Sequence, residues 1–457
     1  MPETPGERRA RARAFVEEIF GSALGAVEPA GLVYRWLDRN LLPPFSGSLV
    51  VVGLGKAAHG MVRGARAALG PRIARGIVVA PGEAGGARAG TGRAGRDHHR
   101  FQVLRGGHPV PDPGSEAAGV ALMALAEGLG PDDLLLVLLS GGGSALATLP
   151  TPPLSLADVV RTTELLLDSG APIAEVNAVR RGIDLLKGGG LAHAARAARV
   201  VTLAISDVVG DRPADIASGP TVSRPEADTD VIDQVRARGV WERLPSQVRE
   251  CLEGSAGGGA RAKPKPVDRS RTEWHLVGAN RMALEGARDQ AERHGWWVQL
   301  LPDPITGEAR EVGRVLAGMG MELGRDLGPG RRPTVLVAGG ETTVTVRGPG
   351  RGGRNQEVAL GAGLALAGAD KVDGAPDRVT VAAMGTDGVD GPTDAAGALA
   401  DASTVERARG AGGSVTAALR KNDAYPLLAT LGDLILTGPT GTNVMDLFLV
   451  LVDPPAR

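Results

Sequence analysis

The residues best suited to chemistry lie in glycine-rich turns that follow short apolar runs. The first turn reads GLGKAA and contains Gly53, Gly55 and Lys56. Glycines after a strand let the backbone approach a ligand, and the helix that follows offers unpaired N–H groups to an anion. Lys56 adds a cation inside the turn. The turn therefore predicts an anion site, with a tight strand-to-helix turn and a solvated lysine as the alternative.

The same turn matches the G-x-G-x-x-A pattern of dinucleotide-binding sites. That interpretation needs an acid at the end of the next strand to hold a ribose. The nearest acid, Glu83, follows a Pro-Gly turn, which is poor geometry for this role. Taken alone, the pattern is a weak indication of a dinucleotide.

The second turn reads SGGGSA and runs from Ser140 through Gly141, Gly142 and Gly143 to Ser144. Three consecutive glycines carry a large entropic cost, which a backbone nest for a phosphate or a carboxylate would explain. Neither serine lies in the G-x-S-x-G pattern of a nucleophile elbow. No Gly-Lys-Ser/Thr of a Walker A loop follows. The turn therefore predicts an anion cradle rather than a hydrolase.

Two carboxylates follow the next apolar run. Asp207 and Asp211, four residues apart, lie in the turn that follows the predicted strand 200–205. Ligands commonly bind at the carboxyl edge of a parallel sheet, and carboxylate oxygens suit Mg²⁺. The pair therefore predicts a metal or substrate site, with capping of the turn and the next helix as the alternative. A second acidic turn, residues 384–394, could hold a metal or be an ordinary surface turn.

Further polar residues follow glycines toward the C-terminus. Glu341 follows a Gly-Gly pair, and Arg354 and Asn355 follow the glycine-rich residues 348–353. Arginine offers a planar fork of donors, so this segment predicts a site that faces phosphate. The alternative is a hairpin with an asparagine cap. Earlier in the chain, His108 could donate a hydrogen bond to a carboxylate substrate or order its own proline-rich turn.

The elements that must position these residues alternate along the chain. Strands predicted at 48–52, 77–80, 134–139 and 200–205 are separated by helical stretches. The run 134–139 is apolar at every position, which is typical of a buried parallel strand. The alternation predicts an α/β fold with a parallel sheet covered on both faces.

A change in composition divides the 457 residues. Residues 254–271 are small, charged or proline and have nothing to bury, so we interpret them as a linker. The predicted domains are 1–260 and 261–457. Further strands are predicted in a second α/β domain at 273–277, 297–301, 334–338, 379–383, 434–436 and 447–452.

Composition excludes several classes of function. The net charge is -1 and aromatic residues make up 3% of the chain, so neither a general electrostatic attraction to nucleic acid nor stacking platforms are expected. The single cysteine, Cys251, rules out an internal disulfide and suits a reducing compartment. No apolar run approaches the ~20 residues of a membrane span, and residues 1–14 lack the apolar core of a signal peptide. We expect a cytoplasmic protein, a monomer or a homodimer, without nucleic-acid or membrane partners.

The motifs, in their order, resemble the glycerate 2-kinase family, whose C-terminal half is called the MOFRL domain. The matching segments span residues 48–400 and include VVGLGKAAHGM, GGHPVPD, LLSGGGSAL, EVNAVRRGIDLLKGGGLA, SDVVGDRPADIASGPTV, AGGETTVTVRGPGRGGRNQEVALG and GTDGVDGPTDAAGA. Each motif alone is modest, but seven in order are specific. The resemblance implies a Rossmann-like N-terminal domain, a smaller C-terminal α/β domain and an active site in the cleft between them.

The resemblance also implies an activity, which is transfer of the γ-phosphoryl group of ATP to the 2-hydroxyl of D-glycerate with Mg²⁺. Its active-site lysine and arginine fall on Lys56 and Arg354. On this hypothesis Asn177 and Arg180 bind glycerate, and Asp207 accepts the hydroxyl proton or joins Asp211 in holding Mg²⁺. Two alternatives stay open. They are an NAD(P)H-dependent hydroxypyruvate reductase and a module that binds small anions without catalysis.

Overall fold

The computed structural model of the protein describes residues 3–82, 100–196, 198–256, 266–302, 304–369 and 374–455. Two predictions fall outside these ranges. They are the centre of the predicted linker and the domain boundary between residues 260 and 261. Glu83 also lies outside the described residues.

The described strands are numbered in chain order. They are β1 Leu49–Leu54, β2 Ile73–Pro81, β3 Phe101–Gly106, β4 Leu134–Leu139, β5 Arg199–Ile205, β6 Thr272–Gly278, β7 Trp297–Leu300, β8 Ile305–Glu308, β9 Thr334–Thr343, β10 Val379–Gly385, β11 Gly397–Asp401, β12 Leu434–Ile435 and β13 Asp446–Val452.

The described α-helices are numbered in the same way. They are α1 Pro5–Ala26, α2 Pro29–Arg39, α3 Ala58–Leu69, α4 Pro113–Glu127, α5 Gly143–Leu146, α6 Leu156–Asp168, α7 Ile173–Ile183, α8 Gly190–Ala194, α9 Val231–Ala237, α10 Ser246–Ala256, α11 Asn280–Arg293, α12 Ala309–Asp326, α13 Arg354–Gly368, α14 Thr404–Gly410, α15 Val415–Lys421 and α16 Ala424–Leu431. None of these helices has both the length and the apolar character that a bilayer crossing requires.

The chain forms two compact units. The parallel-sheet unit comprises Pro29–Gly278, and the mixed-sheet unit comprises Met1–Glu28 together with Ala279–Arg457. In the mixed-sheet unit, the ring of Phe15 on α1 stacks on Trp296 with the ring centroids 4.3 Å apart. This apolar contact ties the N-terminal helix to the C-terminal part of the chain. The units therefore differ from the predicted division, which assigned every residue before 261 to one domain.

The described strands of the parallel-sheet unit form one six-stranded sheet in the order β3-β2-β1-β4-β5-β6. Every pairing in it is parallel. Both β1 and β4 are buried along their whole length, because each is apolar throughout and lies between two other strands. The parallel sheet predicted for the first half of the chain is confirmed.

One strand prediction was assigned to the wrong half. Residues 273–277 were expected to open the second domain, but β6 pairs in parallel with β5 and completes the first sheet. The reason is that a strand pairs with a sheet edge that is free in the folded chain, and composition does not indicate which edge is free. The linker-like residues before β6 therefore connect two parts of one unit.

The described strands of the mixed-sheet unit form a sheet in the order β12-β11-β10-β13-β9-β7, and β8 also pairs with β9. The pairings of β13 with β9 and β10 are antiparallel, whereas β7 and β8 run parallel to β9. Seven buried residues of β13 lie at the centre of this sheet. The second α/β fold is confirmed, with a mixed rather than a parallel sheet.

Candidate active site

Three glycine- or aspartate-bearing turns meet at one edge of the parallel sheet. The strands β1, β4 and β5 are neighbours, and all run in the same direction. The GLGKAA turn follows β1, the SGGGSA turn follows β4, and Asp207 follows β5. Their carboxyl ends form the edge at which open α/β sheets bind ligands.

The first two turns are bonded to each other. The backbone N–H of Lys56 donates to the carbonyl of Gly141 at 2.9 Å, and the N–H of Ala57 donates to Ser140 Oγ at 3.0 Å. Gly55 has φ +128°, and a β-carbon at this position would lie 2.3 Å from Ser140 Oγ. Ser140 therefore holds the Lys56 turn in place, and only glycine fits beside it.

The remaining glycine of the first turn has a packing role. A β-carbon at Gly53 would lie 2.8 Å from the side chain of Val62 on α3. The glycine therefore allows α3 to pack closely against β1, which is one of the established uses of glycine in such turns.

The second turn is surrounded by polar side chains. A β-carbon at Gly141 would lie 1.7 Å from Asp207 Oδ2, and one at Gly142 would lie 2.9 Å from the His108 ring and 3.4 Å from Lys56 Cγ. The missing side chains therefore leave room for Asp207, His108 and Lys56 to converge on the SGGGSA turn. Gly143, by contrast, is buried against apolar neighbours.

His108 lies in a positively charged environment. Burial of its ring, followed by the charges of Lys56 and Arg180, lowers the pKa of His108 below its ordinary value, although the residue as a whole is exposed. An imidazole beside two cations stays neutral at physiological pH and offers one donor and one acceptor. The sequence left His108 as either a substrate donor or a turn residue, and the structure places it beside Lys56.

Arg180 is a buried cation on α7. Arg180 is 9% exposed. Burial lowers the pKa of its guanidinium to about 10, although the charge of Asp184 acts to raise it. Within the described ranges it forms no ion pair, and its single hydrogen bond is a 3.5 Å contact from Nη1 to Ser144 Oγ. Asp184 is instead paired with Lys187. A buried guanidinium without a carboxylate partner is suited to receive an anionic ligand.

The serine that contacts Arg180 belongs to a short chain of hydrogen bonds. Ser144 Oγ lies 2.7 Å from Ser218 Oγ, which donates to Asn177 Oδ1 at 2.9 Å. The amide nitrogen of Asn177 donates to the carbonyl of Asp215 at 3.3 Å. The structure thus brings together Asn177, Arg180 and Ser144, which the sequence predicted separately, and adds Ser218, which no sequence pattern singled out.

The predicted metal ligands are Asp207 and Asp211, which lie in one turn after β5. Asp211 adopts φ +50° in the turn after Asp207. The described residues contain no group of three or more His, Cys, Asp or Glu side chains that could hold a metal ion. The acidic turn at 384–394 therefore does not form such a group with its described neighbours.

In the mixed-sheet unit, Arg354 stands at the start of α13 between two carboxylates. Nε and Nη2 donate to the two oxygens of Asp446 at 2.6 and 2.9 Å, and Nη1 donates to Glu341 at 2.7 Å. Although burial favours the neutral form, Asp446 and Glu341 raise the pKa of Arg354. The guanidinium is one-third exposed and stays charged.

The N-terminus of α13 is capped by Asp390 from the acidic turn. Its two oxygens accept from the backbone N–H groups of Asn355 and Gln356 at 3.1 and 2.9 Å, and the Asn355 amide also donates to Asp446 at 3.1 Å. Burial raises the pKa of Asp390 to about 7, against the two backbone donors. The backbone N–H groups at this helix start are therefore engaged by Asp390. The donors predicted to face phosphate, the Arg354 guanidinium and the Asn355 amide, both donate to Asp446 instead.

Two positioning residues of this unit were missed by the sequence. Asp390 was noticed only as part of an acidic turn, and its signal was the glycine before α13, since a β-carbon at Gly353 would lie 2.2 Å from the Asp390 carboxyl carbon. Asp446 carried no signal, because it begins an apolar strand 92 residues after Arg354.

Comparison with known families gives two matches. Residues 15–253 match the family described as a domain of unknown function, DUF4147. Residues 334–446 match the MOFRL family. The first match covers the strands and turns of the parallel-sheet unit up to α10, and the second covers most of the mixed sheet.

Similar proteins cover nearly the whole chain. A D-glycerate 2-kinase of Thermotoga maritima is 37% identical over 95% of this chain and 97% of its own. A human glycerate kinase is 36% identical over 96% of this chain and 92% of its own. A protein of Agrobacterium vitis named putative hydroxypyruvate reductase is 40% identical over 96% and 94%.

A solved structure is similar over the same extent. The crystal structure of a glycerate kinase from Thermotoga maritima aligns with a TM-score of 0.80 at 35% identity, covering 97% of this chain and all of that one.

Proposed function

The chain belongs to the glycerate kinase family that carries a MOFRL region, and we propose that it transfers the γ-phosphoryl group of ATP to the 2-hydroxyl of D-glycerate. The observation that supports this most directly is the convergence of Lys56, His108 and the buried Arg180 on a glycine-rich turn. Such a site offers cations to a carboxylate and to a phosphoryl group, which are the two charged groups of this reaction.

Arg180 is the proposed partner of the glycerate carboxylate. Its four N–H groups that do not contact Ser144 have no acceptor among the described residues, and a bidentate carboxylate would satisfy two of them. Asn177 fixes the hydrogen-bond chain behind Arg180. The glycerate carboxylate would form the ion pair that the buried guanidinium lacks among the described residues.

Lys56 and Arg354 are the proposed partners of the moving phosphoryl group. In the transfer, the 2-hydroxyl oxygen bonds to the γ-phosphorus, the bond to the β–γ bridging oxygen breaks, and ADP leaves. Negative charge on the phosphoryl oxygens is best stabilised by cations that are already positioned. The backbone of Lys56 is fixed by Gly141, and Arg354 is fixed by Asp446. That both act on one phosphoryl group stays a prediction.

Asp207 is the proposed acceptor of the hydroxyl proton or a ligand of Mg²⁺. In sites that also hold nucleotide phosphates, Mg²⁺ commonly takes only one or two carboxylates, with water and phosphate oxygens completing its shell. A single carboxylate packed against the SGGGSA turn fits that requirement. When bound, the ion would neutralise charge on the phosphates of ATP. The participation of Asp211 stays a prediction.

Phosphorus NMR of the product tests the proposal. Incubation with ATP, Mg²⁺ and D-glycerate should give 2-phosphoglycerate and ADP in equal amounts. Formation of 3-phosphoglycerate would correct the position of transfer, and absence of any glycerate phosphate would overturn the proposal.

A reductase is the second candidate, because relatives from Agrobacterium vitis carry that name. We expect no oxidation of NADH or NADPH when hydroxypyruvate is added, measured as absorbance at the nicotinamide band.

The proposed cellular setting is the cytoplasm, which suits the single buried cysteine. Binding of small anions without turnover is the third candidate, and ADP formation in the same assay decides against it.

A further inference from the structure

The orientation of Arg180 poses a physical problem that its neighbours solve. Arginine carries about 2 kcal/mol of rotamer entropy, which a binding site must fix before it can hold a planar carboxylate. In the described part of the chain, no carboxylate pairs with Arg180, and its one hydrogen bond goes to Ser144. Ser144 is therefore the one described side chain that can orient the guanidinium through a hydrogen bond.

The direction of every hydrogen bond behind Arg180 can be assigned. A guanidinium only donates, so Ser144 Oγ accepts from Arg180. The carbonyl oxygen of Asn177 only accepts, so the proton of Ser218 points to Asn177. Each hydroxyl has one proton, and the 2.7 Å contact between the two serines must therefore use the proton of Ser144.

The assignment changes the role predicted for Ser144. Its only proton points to Ser218, so the hydroxyl cannot at the same time donate to a phosphate or a carboxylate. Its oxygen is left to accept from Arg180. Ser218 is the residue that imposes this direction, because its own proton is directed to Asn177.

The backbone at Ser218 is held in an unfavourable conformation. Ala217, Ser218 and Gly219 have φ values of 51°, 57° and 62°, and the left-handed region costs a residue with a side chain roughly 1–2 kcal/mol. The N–H groups of Gly188 and Gly189 donate to the carbonyls of Ser218 and Gly219 at 3.0 and 2.8 Å. The fold thus maintains strain that places the Ser218 hydroxyl next to Ser144.

We propose that Ser218 is a positioning residue for glycerate binding, which acts through Ser144 to orient the guanidinium of Arg180. This inference rests on the proposed function, because it takes glycerate as the ligand of Arg180. Ser218 itself is fully buried, so it is not placed to contact a ligand directly. Its removal should therefore weaken glycerate binding and leave ATP binding unchanged.

Steady-state kinetics of Ser218→Ala tests the proposal. Alanine suits the backbone conformation no less than serine does, so the substitution removes the hydroxyl alone. Loss of one hydrogen bond of about 1 kcal/mol corresponds to a rise in the KM for D-glycerate of roughly fivefold. The KM for ATP should stay within twofold of wild type.

Two further variants complete the design. Ser144→Ala should raise the KM for glycerate by a similar factor, and the double variant should be no worse than the larger single variant, since both act through one group. Thr221→Val is the matched control. This substitution removes a buried hydroxyl three residues after Ser218, which is hydrogen-bonded to Thr202 and is not part of the chain of hydrogen bonds behind Arg180. It should leave both KM values unchanged.

Three outcomes would overturn the proposal. They are an unchanged KM for glycerate in Ser218→Ala, a parallel rise in both KM values, and additive effects of the two serine substitutions. If Ser218→Ala does not fold, Ser144→Ala alone decides by the same split between the substrates. If wild-type enzyme shows no turnover of glycerate, the proposed function fails. Calorimetric binding of D-glycerate to the same variants then tests the positioning role separately.

Discussion

Lys56 and Arg354 carry the same charge but have different surroundings. Arg354 is bonded to two carboxylates, of which Asp446 is completely buried. Lys56 is held through its backbone, and its side chain lies beside His108 and Gly142. The charge of Arg354 is thus largely balanced within its own unit, and the charge of Lys56 helps to lower the pKa of His108. At the residue scale, Lys56 is therefore the cation that lies at the glycine-rich turn.

Replacing Lys56 with alanine should lower kcat by roughly 100-fold or more, because removal of a preorganised charge or donor from a reacting oxyanion has effects of this size. The measurement is ADP formation at saturating ATP and D-glycerate. Lys421→Ala, which removes an exposed lysine on α15, is the control and should retain wild-type kcat. Turnover of Lys56→Ala within threefold of wild type would remove this lysine from the mechanism.

At the same scale, sequence patterns identified side chains better than they identified their partners. Lys56 and Arg354 stand out because charges beside glycines after strands are unusual, and Asp207 stands out because it follows an apolar run. Ser218 and Asp446 do not stand out, because a serine in a loop and an acid before an apolar strand are common. Their positions depend on contacts 74 and 92 residues apart along the chain, and such contacts are set by the tertiary fold.

Among the elements, the turn after β1 depends on the absence of a side chain at Gly55. Gly55→Ala should lower the free energy of unfolding by about 3 kcal/mol, since the new β-carbon would displace Ser140 and overpacking costs of this order are usual. Gly170→Ala is the control, because Gly170 has φ +69° but no atom within 4 Å of the β-carbon position. It should cost only about 1 kcal/mol. Denaturant unfolding measures both, and equal losses would contradict the packing argument.

The N-terminus of α13 should make stability depend on pH. Burial raises the pKa of Asp390 to about 7 from an ordinary value of 3.8, and Asp446 shifts in the same direction. Between these two pH values the folded chain holds more protons than the unfolded chain, so the free energy of unfolding falls as pH rises through this window. The contribution is present below pH 4 and is lost above pH 7.

Melting temperatures of wild type and Asp390→Asn between pH 5 and 8 measure this effect. We expect the wild type to lose stability on the order of a few kcal/mol over the window and the variant to show a shallower slope. Asp289→Asn, at an exposed position on α11, should follow the wild type. Parallel curves for Asp390→Asn and wild type would show that this carboxyl does not titrate there.

Strand prediction succeeded for the apolar runs of β4 and β13 and failed for β11. The run that became β4 is uninterrupted leucine and valine, and β13 after Asp446 consists of leucine, valine and one phenylalanine, so period and composition agree. The strand β11, GALAD, is buried but consists mainly of alanine and glycine, which are depleted in strands. β11 forms because its pairing with β10 buries it. A local sequence pattern cannot predict a pairing between two separate strands.

For the whole molecule, the sequence was sufficient to predict the fold class of both units, but it did not indicate which segments of the chain belong to which unit. The motifs in order indicated two α/β units and their chemistry. They did not indicate that α1 belongs with the C-terminal residues, because the stacking of Phe15 on Trp296 joins positions 281 residues apart. Aromatic residues scattered along a chain give no sign of which pair will meet.

A double-substitution cycle tests whether the two units act on the same group. If Lys56 and Arg354 stabilise one phosphoryl group, the double alanine variant should lose much less kcat than the product of the single losses, as in other sets of residues that act as a unit. Fully multiplicative losses would indicate independent roles. Circular dichroism of all three variants checks that the fold is retained.

The inclusion of α1 in the mixed-sheet unit has a consequence for synthesis on the ribosome. Residues 29–278 form one continuous stretch and can complete their sheet while the rest is still being translated. The helix α1 precedes this stretch but packs on α11 and Trp296, which follow it. Its apolar face therefore stays uncovered until translation has passed residue 296.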